Sequence, residues 1–325
     1  MTNRLSLIII SLYLFVVSIQ ANSHLVEPDD KTEIRKITLM LEWFVNPNHG
    51  PIIVAQQKGF FRKEGLEVKI QEPTDPALPP KLVATGDVDL AVYYQPGLTQ
   101  GVDKGLSVAW AGTLIDHVLD GIMVLDNGLI KSLANLKGKK IGVSFNGAES
   151  AKLDTMFKPY GFSAKNITMI NVGWNLSSPL MSGQVDAVMG VFRNFELNVL
   201  KSHGSKGSIF CFEENGIPPY DQLIFIANSK KHDKAVIRSF LRSIEDGIKY
   251  IVNNPEESWK VFVNHNPKQL DNKLNKSAWI DTVPYFAKSP AFRNNDRYER
   301  YAQFLYEHAL IKKRLKADDL MVSFF

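Results

Sequence analysis

Short runs rich in β-branched and aromatic residues alternate with helix-length stretches along this chain, and the alternation runs through twice before a tail that reads almost wholly as helix. This order constrains the fold more than any other feature, because strands separated by helices join through crossovers into parallel sheets covered on both faces. The first series predicts strands over residues 37–43, 66–70, 88–93 and 108–114, with helices over 51–61, 78–85 and 96–104. The second predicts strands over 141–145, 167–172, 185–189 and 208–212, with helices over 148–160, 178–182 and 192–203. A last strand over 223–227 precedes helices over 233–253, 256–264, 277–286 and 296–310. A natural solution returns that strand to the first series and packs the tail helices on it. The chain then crosses between two lobes twice, near residues 126–131 and near 215–222; the second crossing holds Gly216, Pro218 and Pro219, which suit a constrained connection. One lobe comprises residues 36–128 with 222–325, the other residues 129–221. A single continuous doubly wound domain is the competing arrangement for the same pattern.

Length and composition agree with two compact parts. At roughly 100–200 residues per domain, 325 residues predict two. Hydrophobic residues make up 45% and charged residues 22%, which excludes a disordered or fibrous chain. The 38 basic and 34 acidic residues leave a net charge of +4 with no dense basic block, so nucleic acid is not an expected partner. Arg4 precedes an apolar-rich stretch of 15 residues, 5–19, and then the small residues Ala21 and Ser23. That stretch is short of the roughly 20 residues that span a bilayer. Residues 1–23 therefore read as a secretory signal peptide, and the mature chain is expected in the periplasm. No cysteine stands near the end of this segment, which excludes a lipoprotein anchor. The single cysteine, Cys211, can form neither an internal disulfide nor a cysteine-based zinc site, and its apolar neighbours predict a buried hydrophobe. The seven histidines contain no His-x-x-x-His pair, and no Gly-x-Ser-x-Gly elbow or Walker loop occurs, so no metal, cofactor or catalytic centre is expected.

Two lobes on a paired hinge with a cleft between them form the α/β architecture of type II periplasmic binding proteins, and particular phrases carry a resemblance to one branch of these. Leu41-Glu42-Trp43, followed by Asn46-Pro47-Asn48-His49-Gly50, resembles the opening of formylaminopyrimidine-binding proteins. So do the phrase from Ala55 to Leu66 and Glu72-Pro73-Thr74-Asp75-Pro76. Leu136-Lys137-Gly138-Lys139-Lys140, Gly183-Gln184-Val185-Asp186-Ala187 and Asn215-Gly216-Ile217-Pro218-Pro219-Tyr220 extend it, so that it covers about residues 36–265. The resemblance implies a monomeric solute-binding protein that presents a thiamine pyrimidine precursor to the permease of an ABC transporter and is not an enzyme. The same branch contains the pyrimidine synthase, which works with pyridoxal phosphate and iron and carries a cysteine-rich motif. With Cys211 alone and a leader in front, this chain departs from the synthase. A binder of a sulfonate or another small anion is the third reading, because the less specific phrases occur in such proteins too.

Candidate site residues follow from strand ends and from the resemblance. Trp43 ends the first predicted strand, where clefts of α/β folds bind ligands, and offers a large π-face to a flat heteroaromatic. Tyr93 and Tyr94 end the third strand, and alternation predicts that only one of them faces the cleft. Ser144, Asn146 and Gly147 lie in a strand-to-helix turn whose N–H groups suit a formyl oxygen. The resemblance implies that Glu196 is the carboxylate meeting the amino and ring nitrogens of a pyrimidine, that Asn46 binds the ligand, and that His49 contributes to the cleft wall or hydrogen-bonds near its mouth. In the synthases a histidine near this phrase is consumed as substrate, and Lys58 would be the first candidate there for an aldehyde partner. Tyr220, in the second crossing, is expected to close over the ligand.

Overall fold

The computed structural model describes residues 34–144, 149–173 and 175–322. The signal peptide reading, Asn146 and Gly147 lie outside these described residues. Among the described residues, ten strands form two five-stranded sheets. The first has the order β2-β1-β3-β10-β4, with β1 Arg35–Met40, β2 Leu66–Gln71, β3 Leu90–Tyr93, β4 Val108–Ile115 and β10 Leu223–Asn228. The second has the order β7-β6-β8-β5-β9, with β5 Asp120–Leu125, β6 Lys140–Val143, β7 Thr168–Asn171, β8 Ala187–Phe192 and β9 Gly207–Cys211.

The two sheets are built on one plan. Each has parallel pairs on one side, β1 with β2 and β3, and β6 with β7 and β8. Each then receives an antiparallel strand arriving from the other lobe: β10 between β3 and β4, and β5 between β8 and β9. The sequence pattern assigns no element to β5, and for that reason places the first crossing too late. The chain passes between sheets before Asp120, over residues 116–119, and the change of lobe expected at 128/129 moves with it. The second crossing falls between β9 and β10, which contains the expected segment. The return of the last strand to the first sheet is as expected. β10 and β4 are buried along their whole length, as unbroken apolar runs inside a covered sheet require.

The tail helices cover the first sheet. Asp233 caps the helix Lys234–Asn253 by accepting from the N–H groups of Ala235 and Val236, at 2.9 and 3.2 Å. This helix lies so close to Gly50–Gln57 that a Cβ at Gly247 would stand 2.6 Å from the Pro51 carbonyl oxygen. The crossings are tied to each other and to the tail. Gln222 Oε1 accepts from the N–H groups of Leu119 and Asp120, at 2.8 and 3.3 Å. Arg297 donates to both the Asp116 carbonyl and the Asp221 carboxylate, and Asp221 also receives the Thr113 hydroxyl at 2.9 Å and the Tyr298 hydroxyl at 3.2 Å. Two lobes joined by two crossings, with a helical tail on the first, make the periplasmic-binding-protein fold of type II. Among the described residues no helix is long and apolar enough to cross a membrane.

Candidate functional site

A cleft of about 690 Å³ opens between the sheets, lined by residues at strand ends of both lobes. That volume suits a small molecule. From the first lobe, the loop after β1 carries Glu42, Trp43 and Phe44 into the cleft, and Glu72 pins this loop by accepting the Val45 N–H at 2.7 Å. Trp43 and Phe44 stand edge to face, with centroids 6.4 Å apart. Trp43 and Ser144 also border a smaller neighbouring cavity of about 300 Å³.

Tyr93 and Tyr94 both line the cleft, contrary to the alternation argument. β3 ends at Tyr93, and Tyr94 is already the N-cap of the helix Gln95–Asp103, so the strand period no longer separates the two rings. Their centroids are 5.5 Å apart. The Tyr93 ring passes over Gly97, where a Cβ would stand 2.6 Å from it. Tyr94 reaches the other lobe, its ring meeting that of Phe192 edge to face at 6.4 Å. Burial pushes the Tyr93 hydroxyl up to about 12 and that of Tyr94 well above its usual value, so both remain donors.

His49 does not form the cleft wall. It is fully buried behind Glu42, with Nε2 3.1 and 3.0 Å from the two carboxylate oxygens. Its Nδ1 accepts the Asn46 N–H at 3.1 Å, which leaves Nε2 as the protonated nitrogen that donates to Glu42. The histidine therefore orients Glu42, which is itself only 2% exposed yet lines the cleft. Asn46 lines the cleft, but its side chain is used locally: Oδ1 accepts from the Asn48 N–H at 2.9 Å and Nδ2 donates to the Phe44 carbonyl at 2.9 Å.

From the second lobe come Glu196, Asp120, Lys152 and the rings of Phe192, Phe195 and Phe212. Glu196 opens the helix Glu196–Ser202, and its Oε2 accepts the Phe192 N–H at 2.6 Å. Burial pushes its carboxyl up to about 8, against the lowering effect of that hydrogen bond, and the nearby Asp120 adds to the rise. At neutral pH the group is thus a carboxylic acid, with one donor and one acceptor on the same edge. Ser144 also lines the cleft, and its hydroxyl donates to the Gly173 carbonyl at 2.6 Å.

Tyr220 is not a lid. It is completely buried, packs edge to face on Tyr301 with centroids 4.9 Å apart, and donates its hydroxyl to Asp120 Oδ2 at 2.6 Å. Its role is to hold Asp120, which does line the cleft. Lys58 lies outside the cleft lining; it pairs with Glu257 at 3.3 Å and sits over the Tyr250 ring at 4.6 Å. Sequence reasoning missed Glu42, Asp120 and Lys152. Glu42 stands inside the phrase that carries the resemblance, so a signal was present; the other two are marked only by neighbours distant in the chain.

Polar contacts also join the lobes directly. Asn194 Nδ2 donates to Asn48 Oδ1 and Thr282 Oγ1, both at 2.7 Å, and Asn198 donates to Asp281 at 2.7 Å. Asn48 also lines the cleft, so the wall of the site and the contact between lobes share a residue.

Fold and cleft together define a two-lobed periplasmic-binding-protein architecture, and solved structures agree. The aliphatic sulphonate binding protein SsuA of Escherichia coli superposes with a TM-score of 0.69 at 13% identity, over 89% of this chain and 92% of that one. The chain belongs to the NMT1/THI5 like family, whose model matches residues 46–258. A Haemophilus influenzae protein named for thiamine biosynthesis is 47% identical over 288 residues, 89% of this chain and 92% of that one. The formylaminopyrimidine-binding protein of Halalkalibacterium halodurans is 32% identical over 252 residues, 77% and 75% of the two chains. A 4-amino-5-hydroxymethyl-2-methylpyrimidine phosphate synthase of Saccharomyces cerevisiae is 28% identical over 269 residues, 78% of each chain.

Proposed function

We propose that this protein is the exported solute-binding component of an ABC importer, that its ligand is an aminopyrimidine precursor of thiamine, and that it acts as a monomer in the periplasm delivering that ligand to a permease. The observation that carries this reading is the pairing of Glu196 with an aromatic cleft. A 4-aminopyrimidine presents an amino donor beside a ring-nitrogen acceptor. The Glu196 acid presents the complementary acceptor and donor, so the two edges meet in two hydrogen bonds: the amino group donates to the carbonyl oxygen, and the carboxyl O–H donates to the ring nitrogen. Trp43, Tyr94 and Phe192 supply rings for the faces of the base. The related formylaminopyrimidine-binding protein supports the same ligand class.

The charge of the cleft disfavours the sulfonate reading. Glu42, Asp120 and Glu149 line it against Lys152 and the exposed Lys104, and a sulfonate would enter beside those acids. The synthase reading loses support at Lys58, whose ammonium points to Glu257 and Tyr250. In the binding reading no bond is made or broken; the lobes close on the ligand because contacts from both walls exist only when they meet. Calorimetric titration with a 4-aminopyrimidine, a sulfonate and pyridoxal phosphate tests the choice. Heat from the pyrimidine alone is the expected result, and saturable binding of the sulfonate in its place overturns it.

A further inference from the structure

Pairing of Glu196 with an aminopyrimidine edge leaves one carboxylate of the cleft unused. Glu42 lines the cleft and is 2% exposed. His49 donates its Nε2–H to the two carboxylate oxygens, at 3.1 and 3.0 Å. Because His49 Nδ1 accepts the Asn46 N–H at 3.1 Å, the ring carries one proton and no charge. The contact therefore orients the carboxylate without neutralising it. Among the described residues no lysine or arginine forms an ion pair with Glu42. A carboxylate held out of water needs a counter-charge, and a neutral donor compensates only part of its lost hydration.

The facing wall does not supply that charge. Lys152 is the buried cation of the lining among the described residues, and it stands 3.9 Å from Asp120 and over the rings of Phe212 and Tyr220. Asp120 and Glu149 make that wall acidic as well. Burial, and after it the charges of Glu42 and Asp120, hold the Tyr94 hydroxyl well above its usual value, so acids of both lobes act at one point of the cleft. Trp43 and Tyr94 line the same space, and their π-faces attract a cation. We propose that the cleft takes an aminopyrimidine bearing a positively charged substituent, an ammonium or a cationic ring, and that Glu42 is the specificity-determining counter-ion. Glu196 then reads the ring edge, and Glu42 reads the charge of the substituent. This inference rests on the aminopyrimidine reading and narrows it.

The test compares two probes of nearly equal shape by calorimetric titration at neutral pH. One is 4-amino-5-aminomethyl-2-methylpyrimidine, which carries an ammonium; the other is 4-amino-5-hydroxymethyl-2-methylpyrimidine, which is neutral. Wild type should favour the ammonium by about tenfold or more, the scale of a charge pair at an effective dielectric constant of about 20. Glu42→Gln keeps the shape and an acceptor for His49 but removes the charge, so the ratio should move towards one. Glu42→Asp keeps the charge and should keep most of the preference. A ratio of affinities is insensitive to the fraction of folded protein, so partial unfolding of a variant cannot imitate this pattern. Thiamine, whose charge sits in a ring, separates the two kinds of cation, and tighter binding of either than of the neutral probe supports the proposal. An unchanged ratio in Glu42→Gln overturns the role of Glu42. Wild-type binding of the hydroxymethyl probe, or of the uncharged formylaminomethyl pyrimidine, as tightly as of both cations overturns the cationic ligand. In either case a pyrimidine still binds and the aminopyrimidine reading stands. If no probe binds, that reading falls and takes this one with it.

Discussion

The two walls of the cleft do different work. The wall from the first lobe is built mainly of rings with polar tips, Trp43, Tyr93 and Tyr94, and its acid Glu42 is turned onto His49. The wall from the second lobe sets Asp120, Lys152 and Glu196 among the unsubstituted rings of Phe192, Phe195 and Phe212. A flat ligand has faces and an edge, and these walls suit the two parts separately: the first lobe offers area, the second offers donors and acceptors. Area is tolerant of which ring enters, while a buried acid or ammonium rejects a ligand that leaves it unpaired. Selectivity for the ring edge should therefore reside in the second lobe.

The sharpest way to break this comparison is to truncate Glu196. Glu196→Ala should weaken aminopyrimidine binding by roughly 10- to 150-fold, from about 1.5–3 kcal/mol for a hydrogen bond to a charged or acidic partner. Glu196→Gln should retain binding within about tenfold, because its amide carries the same donor and acceptor as the carboxylic acid. Isothermal titration at neutral pH measures both; equal losses in the two variants would mean that the acid is ionised when it meets the ligand.

The pH profile sharpens the same point. With the Glu196 carboxyl at about 8, wild-type affinity should stay level up to that pH and then fall by about tenfold per unit as the carboxyl proton is lost. Glu196→Gln should show no such fall. Stability follows the same proton. The folded-state value is raised above the ordinary 4.5, so the folded chain holds a proton that the unfolded chain releases in this interval. The associated stability is fully present below about 4.5 and is lost as pH rises through about 8. Thermal melts should accordingly show wild type losing ground to Glu196→Gln between pH 5 and 9; parallel curves would remove the buried acid from the account.

On the other wall the effect should be smaller. Trp43→Leu removes a ring contact worth about 0.5–1.5 kcal/mol beyond its area, so affinity should drop about 2- to 13-fold. The change should be similar for several flat heteroaromatics, whereas the Glu196 variants discriminate among them. A loss at Trp43 larger than at Glu196 would reverse the assignment of roles. The smallest effect is expected where the lobes touch. Asn194→Ala removes two neutral hydrogen bonds to Asn48 and Thr282, each worth about 0.5–1.5 kcal/mol net. Affinity should fall about two- to fivefold through the closing equilibrium. Small-angle scattering should show a larger radius of gyration for the empty variant, and an unchanged profile would mean that Asn194 does not hold the lobes together.

Much of this protein is determined by the sequence itself. Hydrophobic periodicity is a local property, and it located nine of the ten strands among the described residues and the long tail helices. The strand-end argument pointed to Trp43 and to one of Tyr93 and Tyr94, and all three line the cleft. What the tertiary structure decided depends on which distant segments meet. Asp120–Leu125 pairs between β8 and β9 and moved the first crossing. Tyr220 met Asp120, 100 residues away, and became a buried support. His49 is hydrogen-bonded behind Glu42, which lines the cleft in its place. Lys152 is surrounded in the cleft wall by Phe212, Tyr220 and Asp120, all distant from it in the chain. The reason is physical: local sequence sets whether a segment is a strand or a helix, but the burial of an ionisable side chain and the partner it finds are set by elements far apart in the chain, and these control its charge and therefore its chemistry.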